Sequence, residues 1–292
     1  QGFQIFMVNM YSIIVQILEF YSHPEQKQME VPFRILITKL LLLTTTVGFS
    51  SFNNVIKYNQ NVIDSSKTLK VLMIGNSFTF YWNLPQVIEC MLNAQNTSFE
   101  VDQKTIGGSN LGKHWRLNSE KDYSINSYDY LVLNDHSTNP LEKIDSCAKY
   151  IKLFTELAKK SNTTPLIYGT WEYPYLKDIS KNKKSNTMSI LDSLAKINNA
   201  VYIPVGNAFN YIENNYPNIN LYMDDNKHPS PNATYLASCV FYSMITGKSS
   251  IGMPRRFEAK NSDGKKIYYI ITERNTAPII QKVADIITKD FR

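Results

Sequence analysis

Lys70-Val71-Leu72-Met73-Ile74-Gly75-Asn76-Ser77-Phe78-Thr79 is an apolar run closed by a glycine and a polar cluster. The run from Val71 to Ile74 reads as a strand buried on both faces, the kind that parallel sheets contain. Ser77 stands just past the strand's end. In an open parallel sheet that edge is where ligands and reacting groups collect, because the loops leaving the strands converge there. A serine after a strand is most often a helix cap or a turn residue. It becomes a candidate nucleophile when another part of the chain supplies a base.

Working outward, residues 84–95 carry Leu84, Val87, Ile88, Met91 and Leu92 at helical spacing, with Pro85 allowed in the first turn. Further strands are expected over 99–106, 128–133, 165–170 and 200–205, and further helices over 141–160, 187–197 and 233–246. A short extra strand over 267–272 and a closing helix over 277–289 complete the pattern. Strands alternating with helices predict an α/β fold with a parallel sheet covered on both faces. Right-handed crossovers make it a three-layer αβα sandwich with a five-stranded sheet. A single domain over 67–292 accommodates all of it.

Ahead of that domain, residues 1–28 begin without a methionine, and their apolar stretch is interrupted by Asn9, Gln16 and Glu19. They read as an upstream, non-native extension. Met29 opens a better start: Arg34 and Lys39 flank the short apolar core at Leu40-Leu41-Leu42-Leu43, and small residues follow to Ser51. That is the pattern of a secretory signal over 29–51, so the mature chain is expected to be exported. The core is shorter than the roughly 20 residues of a membrane span, and no stable span is expected in the mature chain. Residues 52–66 are polar and unpatterned, a linker.

The formal charge of +6 and pI near 9.0 are modest for 292 residues, and the acidic residues are interspersed. A nucleic-acid binder gathers its Lys and Arg on one face or arm. Even the densest basic run, Lys177 to Lys184, contains Asp178 and reads as a solvated loop. No nucleic-acid partner is expected. Cys90, Cys147 and Cys239 lie in apolar, helix-like contexts without CxxC or Cys/His spacing. They read as buried free thiols, with no metal site.

Acyl transfer from a serine needs an exposed hydroxyl, a base, a group that orients the base, and donors aimed at the developing oxyanion. The loops after successive strands offer one candidate for each. Ser77 follows the first strand. Gly107-Gly108 follow the second, where the missing side chain lets a backbone N–H face a ligand closely. Asn134 follows the third and carries a side-chain amide. Asp225 and His228 follow the fifth, separated by about one helical turn. Asp224 rivals Asp225, His136 and His114 rival His228, and Gly107 rivals Gly108. Asp135 reads as a structural loop ligand. Trp171 and Tyr173 at the mouth of the fourth strand, with His136, are candidates for substrate contact, with packing an equal alternative for the aromatics.

This ordered set resembles the SGNH (GDSL-like) hydrolase superfamily. Its blocks appear as Ile74-Gly75-Asn76-Ser77-Phe78-Thr79, Ile106-Gly107-Gly108-Ser109-Asn110, Leu133-Asn134-Asp135 and Asp225-Asn226-Lys227-His228-Pro229. The resemblance implies a flavodoxin-like sheet, with Ser77 as nucleophile, His228 as general base and acid, and Asp225 as its orienting partner. It further implies an oxyanion hole made of the Ser77 and Gly108 backbone N–H groups and the Asn134 amide, and ester hydrolysis without cofactor or metal. Two positions depart from the family pattern: Asn76 stands where many members have Asp, and Val132 where a glycine is common.

The expected activity is that of a serine esterase removing an acyl group, acetyl among the candidates, from a small-molecule or carbohydrate ester through an acyl-serine intermediate. An inactive carbohydrate-binding module on the same scaffold, or acyl transfer to a sugar, are the alternatives. Two other readings fall on single residues. Thr79 occupies the second glycine of a G-x-S-x-G elbow, which excludes an α/β-hydrolase. Gly107 to Lys113 nearly spells a phosphate-binding loop, but His114 stands where that motif needs a hydroxyl for magnesium.

Overall fold

The structure is a computed structural model that describes residues 67–95 and 98–292. The extension, signal and linker expected over residues 1–66 lie outside the described residues. Five parallel strands, β1 (Leu69–Gly75), β2 (Phe99–Thr105), β3 (Tyr130–Leu133), β4 (Thr164–Tyr168) and β5 (Val201–Ile203), form one sheet in the order β2-β1-β3-β4-β5. Ile74 pairs with Lys104 on one side and Leu133 on the other, so the ends of β1, β2 and β3 are level. The order reverses between β1 and β3, which makes the mouth between them the switch point where doubly wound sheets bind ligands.

Successive side chains of a strand point to opposite faces. Val71, Met73, Val132, Leu166, Tyr168 and Ile203 enter one core, and Leu72, Ile74, Leu131, Leu133, Ile167 and Tyr202 the other. A very short helix, α1 (Ser77–Phe80), follows β1 directly. The first core is closed by α2 (Leu84–Leu92), α8 (Val205–Asn215), α9 (Pro231–Thr246) and α10 (Ala277–Lys289). The second is closed by α3 (Leu111–Lys121), α5 (Ile144–Lys160) and α7 (Thr187–Ile197). The α/β three-layer sandwich is therefore as expected.

Helix α9 is buried at every residue from Ala233 to Ile245, because α2, α8 and α10 pack around it. A helix apolar on all sides belongs in the interior. Its position fixes the loop that precedes it, which carries Asp225 and His228.

The structure differs from the sequence expectation at several elements. The single helix over 141–160 is two, α4 (Asn139–Glu142) and α5, broken where Lys143 leaves helical geometry at φ −139°, ψ 50°. Helices α3, α6 (Pro174–Ser180) and α8 were not expected; α8 holds Gly206, Asn207, Asn210, Asn214 and Asn215, all weak helix formers, and forms because its apolar face is buried. The extra strand β7 (Lys266–Ile271) pairs antiparallel with β6 (Arg256–Lys260) in a separate two-stranded sheet. Among the described residues no helix is long and apolar enough to cross a membrane.

Candidate active site

Ser77 opens α1 immediately beyond β1. Asn76 caps that helix, its side-chain oxygen accepting from the Phe78 N–H at 3.1 Å. Its amide nitrogen donates to the carbonyls of Ser109 at 3.2 Å and Asp135 at 3.0 Å. One buried side chain thus ties together the loops after β1, β2 and β3. An aspartate could cap the helix as well but could not donate to two carbonyls, which gives the departure at this position a physical meaning.

Asn134 follows β3. Its Oδ1 accepts from Thr79 Oγ1 at 3.0 Å, and its Nδ2 donates to the Asp135 carbonyl at 3.1 Å, leaving one amide N–H. Gly75 makes this packing feasible: a Cβ there would stand 2.3 Å from Thr79 Oγ1 and 2.9 Å from Asn134 Cβ. Gly108 adopts φ +64°, a conformation that favours glycine, and the space over its α-carbon is open; the φ of Gly107 is not of that kind. Among the described residues the backbone N–H groups of Ser77 and Gly108 donate to nothing.

His228 comes from the loop between α8 and α9. Its Nε2 lies 2.9 Å from Ser77 Oγ, and its Nδ1 lies 2.5 Å from Asp225 Oδ2. The other carboxylate oxygen of Asp225 accepts from the backbone N–H groups of Lys227 at 3.0 Å and His228 at 2.9 Å. The segment is not the helical turn expected from the spacing. It is a tight loop with Asn226 at φ +54°, closed by Met223 N–H to the His228 carbonyl at 2.9 Å and by a bridge between Tyr222 and Pro229. Ser230 then caps α9. Burial raises the Asp225 carboxyl, but the hydrogen bonds from the His228 ring and from the His228 and Lys227 backbone, with the imidazolium charge, outweigh it and bring it down to about 2. Asp224 is exposed.

The rival histidines are engaged elsewhere. His114 is buried, with Nε2 at 2.8 Å from both the Gly75 carbonyl and Ser109 Oγ and Nδ1 at 3.3 Å from the Tyr123 hydroxyl. Burial pushes its imidazole pKa down, only partly opposed by the Gly75 carbonyl. His136 is half-buried with Nδ1 at 3.2 Å from Thr138 Oγ1, and burial together with the Lys227 ammonium lowers it too. Asp135 is the loop ligand expected: its carboxylate accepts from Leu111 N–H and His136 N–H, each at 2.8 Å, and from Asn139 Nδ2 at 3.1 Å. That carboxylate sits on the first turn of α3, where a phosphate-binding loop would seat its anion.

Of the two alternatives open for Trp171, substrate contact or packing, the structure shows packing. The side chain is fully buried, stacked between Phe78 at 4.3 Å and Phe209 at 4.1 Å, and has no free face for a sugar ring. Tyr173 is also buried, with the Lys227 ammonium 5.2 Å over its ring. The aromatic that does reach the site was not singled out from the sequence. Tyr81 stacks on the His228 imidazole with centroids 4.4 Å apart and planes 14° from parallel. The run Phe78 to Trp82, four aromatics in five residues after the serine, was the available signal. The cysteines are free thiols, Cys147 and Cys239 buried and Cys90 half-buried. Among the described residues no group of three or more His, Cys, Asp or Glu is placed to hold a metal ion.

No protein-family model matches the sequence, and no curated protein matches it. Solved structures do. A candidate SGNH hydrolase from Slackia heliotrinireducens is similar at 24% identity and TM-score 0.53 over 61% of this chain and 100% of its own. A DUF4886 family protein from Bacteroides uniformis is similar at 17% identity and TM-score 0.57 over 77% of this chain and 96% of its own. A variant of an acetylxylan esterase from Geobacillus stearothermophilus is similar at 15% identity and TM-score 0.50 over 61% of this chain and 94% of its own. With the strand order and layers described above, these likenesses establish that the chain has the SGNH-hydrolase fold.

Proposed function

We propose that the protein is an exported serine esterase that removes a short acyl group, acetyl first among the candidates, from a carbohydrate ester. The observation that carries the reading is the continuous contact Asp225–His228–Ser77, at 2.5 and 2.9 Å. With Nδ1–H donated to the Asp225 carboxylate, His228 Nε2 is an acceptor facing the serine hydroxyl. As Ser77 Oγ attacks the ester carbonyl, its proton passes to Nε2. The oxyanion is met by the N–H groups of Ser77 and Gly108 and the remaining amide N–H of Asn134. Collapse of the tetrahedral intermediate expels the alcohol, which takes the proton from the imidazolium. Water then attacks the acyl-serine, with His228 again accepting a proton, and releases the carboxylic acid.

Acetylated carbohydrate is the first substrate class to test, since one protein of similar fold is an acetylxylan esterase. The assay is release of acetate from acetylated xylooligosaccharides and short-chain aryl esters by wild type and Ser77→Ala. Loss of roughly 10⁴-fold or more in turnover is expected in the variant. Undiminished turnover refutes the reading. Export is tested by sequencing the amino terminus of secreted protein; a mature end before Met29 refutes the signal proposed over 29–51.

A further inference from the structure

The segment after Ser77 does something unusual. Trp82 and Asn83 are consecutive non-glycine residues in the left-handed region, at φ +50° and +57°. A bulky residue there is a conformational outlier, maintained only when its surroundings over-determine it. Here they do. Trp82 Nε1–H donates to the Pro229 carbonyl at 2.9 Å, and Asn83 Nδ2 donates to the Tyr269 carbonyl at 3.2 Å. The first bond ties the segment to the residue that follows His228, and the second ties it to β7. Between these anchors and Ser77, the chain lays Tyr81 flat on the imidazole. Phe78 makes a T-shaped contact with the same imidazole, at 5.8 Å and 81°, so two aromatics of the serine's own segment pack against the ring.

We infer that Tyr81 is a positioning residue for His228: its ring fixes the imidazole plane between Asp225 and Ser77 and stabilises the imidazolium formed when the serine gives up its proton. This rests on the serine-esterase reading above. An aromatic face carries negative potential and favours the cationic over the neutral imidazole. The other titratable and charged groups around the ring are few. Asp225 is on Nδ1, Ser77 on Nε2, and Lys227, the preceding residue, directs its ammonium over Tyr173. Asp224 is exposed in the same loop, and His136 lies within electrostatic reach of Lys227. Asp225 remains in all variants, so its contribution to the imidazolium is common to them.

The test is the pH dependence of kcat/KM for a neutral aryl acetate in wild type, Tyr81→Leu, Tyr81→Phe and Tyr81→Trp, with the melting temperature recorded for each. Removing the aromatic face lowers the imidazole's proton affinity, so the acid limb of Tyr81→Leu moves to lower pH by about half a unit to one unit. Tyr81→Phe keeps the wild-type midpoint, and Tyr81→Trp keeps or raises it. If Tyr81→Leu does not fold, the Phe and Trp variants carry the comparison. A limb that moves down in both of them overturns the inference, as does a rate loss in Tyr81→Leu with an unmoved limb, which is what mere packing predicts. Failure of the underlying reading is distinguishable: Ser77→Ala would then hydrolyse the ester as well as wild type.

Discussion

Asn76 Nδ2 donates to the Asp135 carbonyl at 3.0 Å, joining the loop that carries the serine to the loop that carries Asn134. The same nitrogen reaches the Ser109 carbonyl, and the side chain is 4% exposed. Asn76→Asp keeps the helix cap but turns a double donor into a carboxylate facing two carbonyl oxygens in a dry site. The expected cost is about 1–3 kcal/mol of folding stability. Urea denaturation measures it, and an Asn76→Asp protein as stable as wild type shows that the amide does not hold the loops.

Asn134 is oriented by Thr79, so the two should differ in kind. Asn134→Ala removes the amide proposed to meet the oxyanion and should cost about 10²–10³-fold in kcat. Thr79→Val removes only the hydroxyl on the amide's oxygen and leaves that acceptor buried without its partner. It should lose stability by about 1–2 kcal/mol with a smaller kcat loss, about tenfold. Steady-state kinetics beside thermal unfolding separates them; equal kcat losses in both would remove the donor role from Asn134.

Gly75 is the hinge on which that pair packs. Gly75→Ala brings a methyl group to 2.3 Å from Thr79 Oγ1 and 2.9 Å from Asn134 Cβ. The neighbour cannot give way without moving the amide, so the variant should lose about 1–3 kcal/mol of stability and most of its activity. A Gly75→Ala enzyme with wild-type kcat indicates that the site tolerates displacement.

Asp225 makes a prediction about acid. Its carboxyl lies at about 2 when folded, against 3.8 ordinarily. A carboxyl depressed on folding contributes stability that is present above its unfolded value and lost as pH falls through the folded one. The stability difference between wild type and Asp225→Asn should therefore be constant above about pH 5 and change between about pH 4 and 2. The contribution is small, because the side chain is 47% exposed. In catalysis the same variant should fall by about 10²–10⁴-fold, since an amide no longer holds the imidazole tautomer. A pH-independent stability difference contradicts the first part.

Which features the sequence reveals follows from which forces are local. Val71 to Ile74 announce a doubly buried strand because the burial of a central parallel strand needs no partner's identity to be recognised. Helices Thr187–Ile197 and Ala277–Lys289 agree with expectation because an apolar stripe and a helix-starting residue coincide in each. Helix α3 does not announce itself: Leu111, Trp115 and Leu117 are too sparse a stripe, and its start is held by Asp135 from another loop. The same limit applies to the site. Ser77, Asn134, Asp225 and His228 are legible as an ordered set, one loop at a time. Trp171 is left undecided between packing and substrate contact because Phe78 and Phe209, which cover its faces, come from distant segments. Tyr81 is missed because only the fold brings it to residue 228.

The contact of Ser77 Oγ with His228 Nε2 at 2.9 Å is the claim on which the account stands. Incubating the protein with a fluorophosphonate probe, and locating the adduct by peptide mass spectrometry, tests it most directly. The account predicts modification at Ser77 and a labelling rate at least about 10²-fold lower in His228→Ala. A protein that takes up no label, or one in which His228→Ala reacts at Ser77 as fast as wild type, would contradict it.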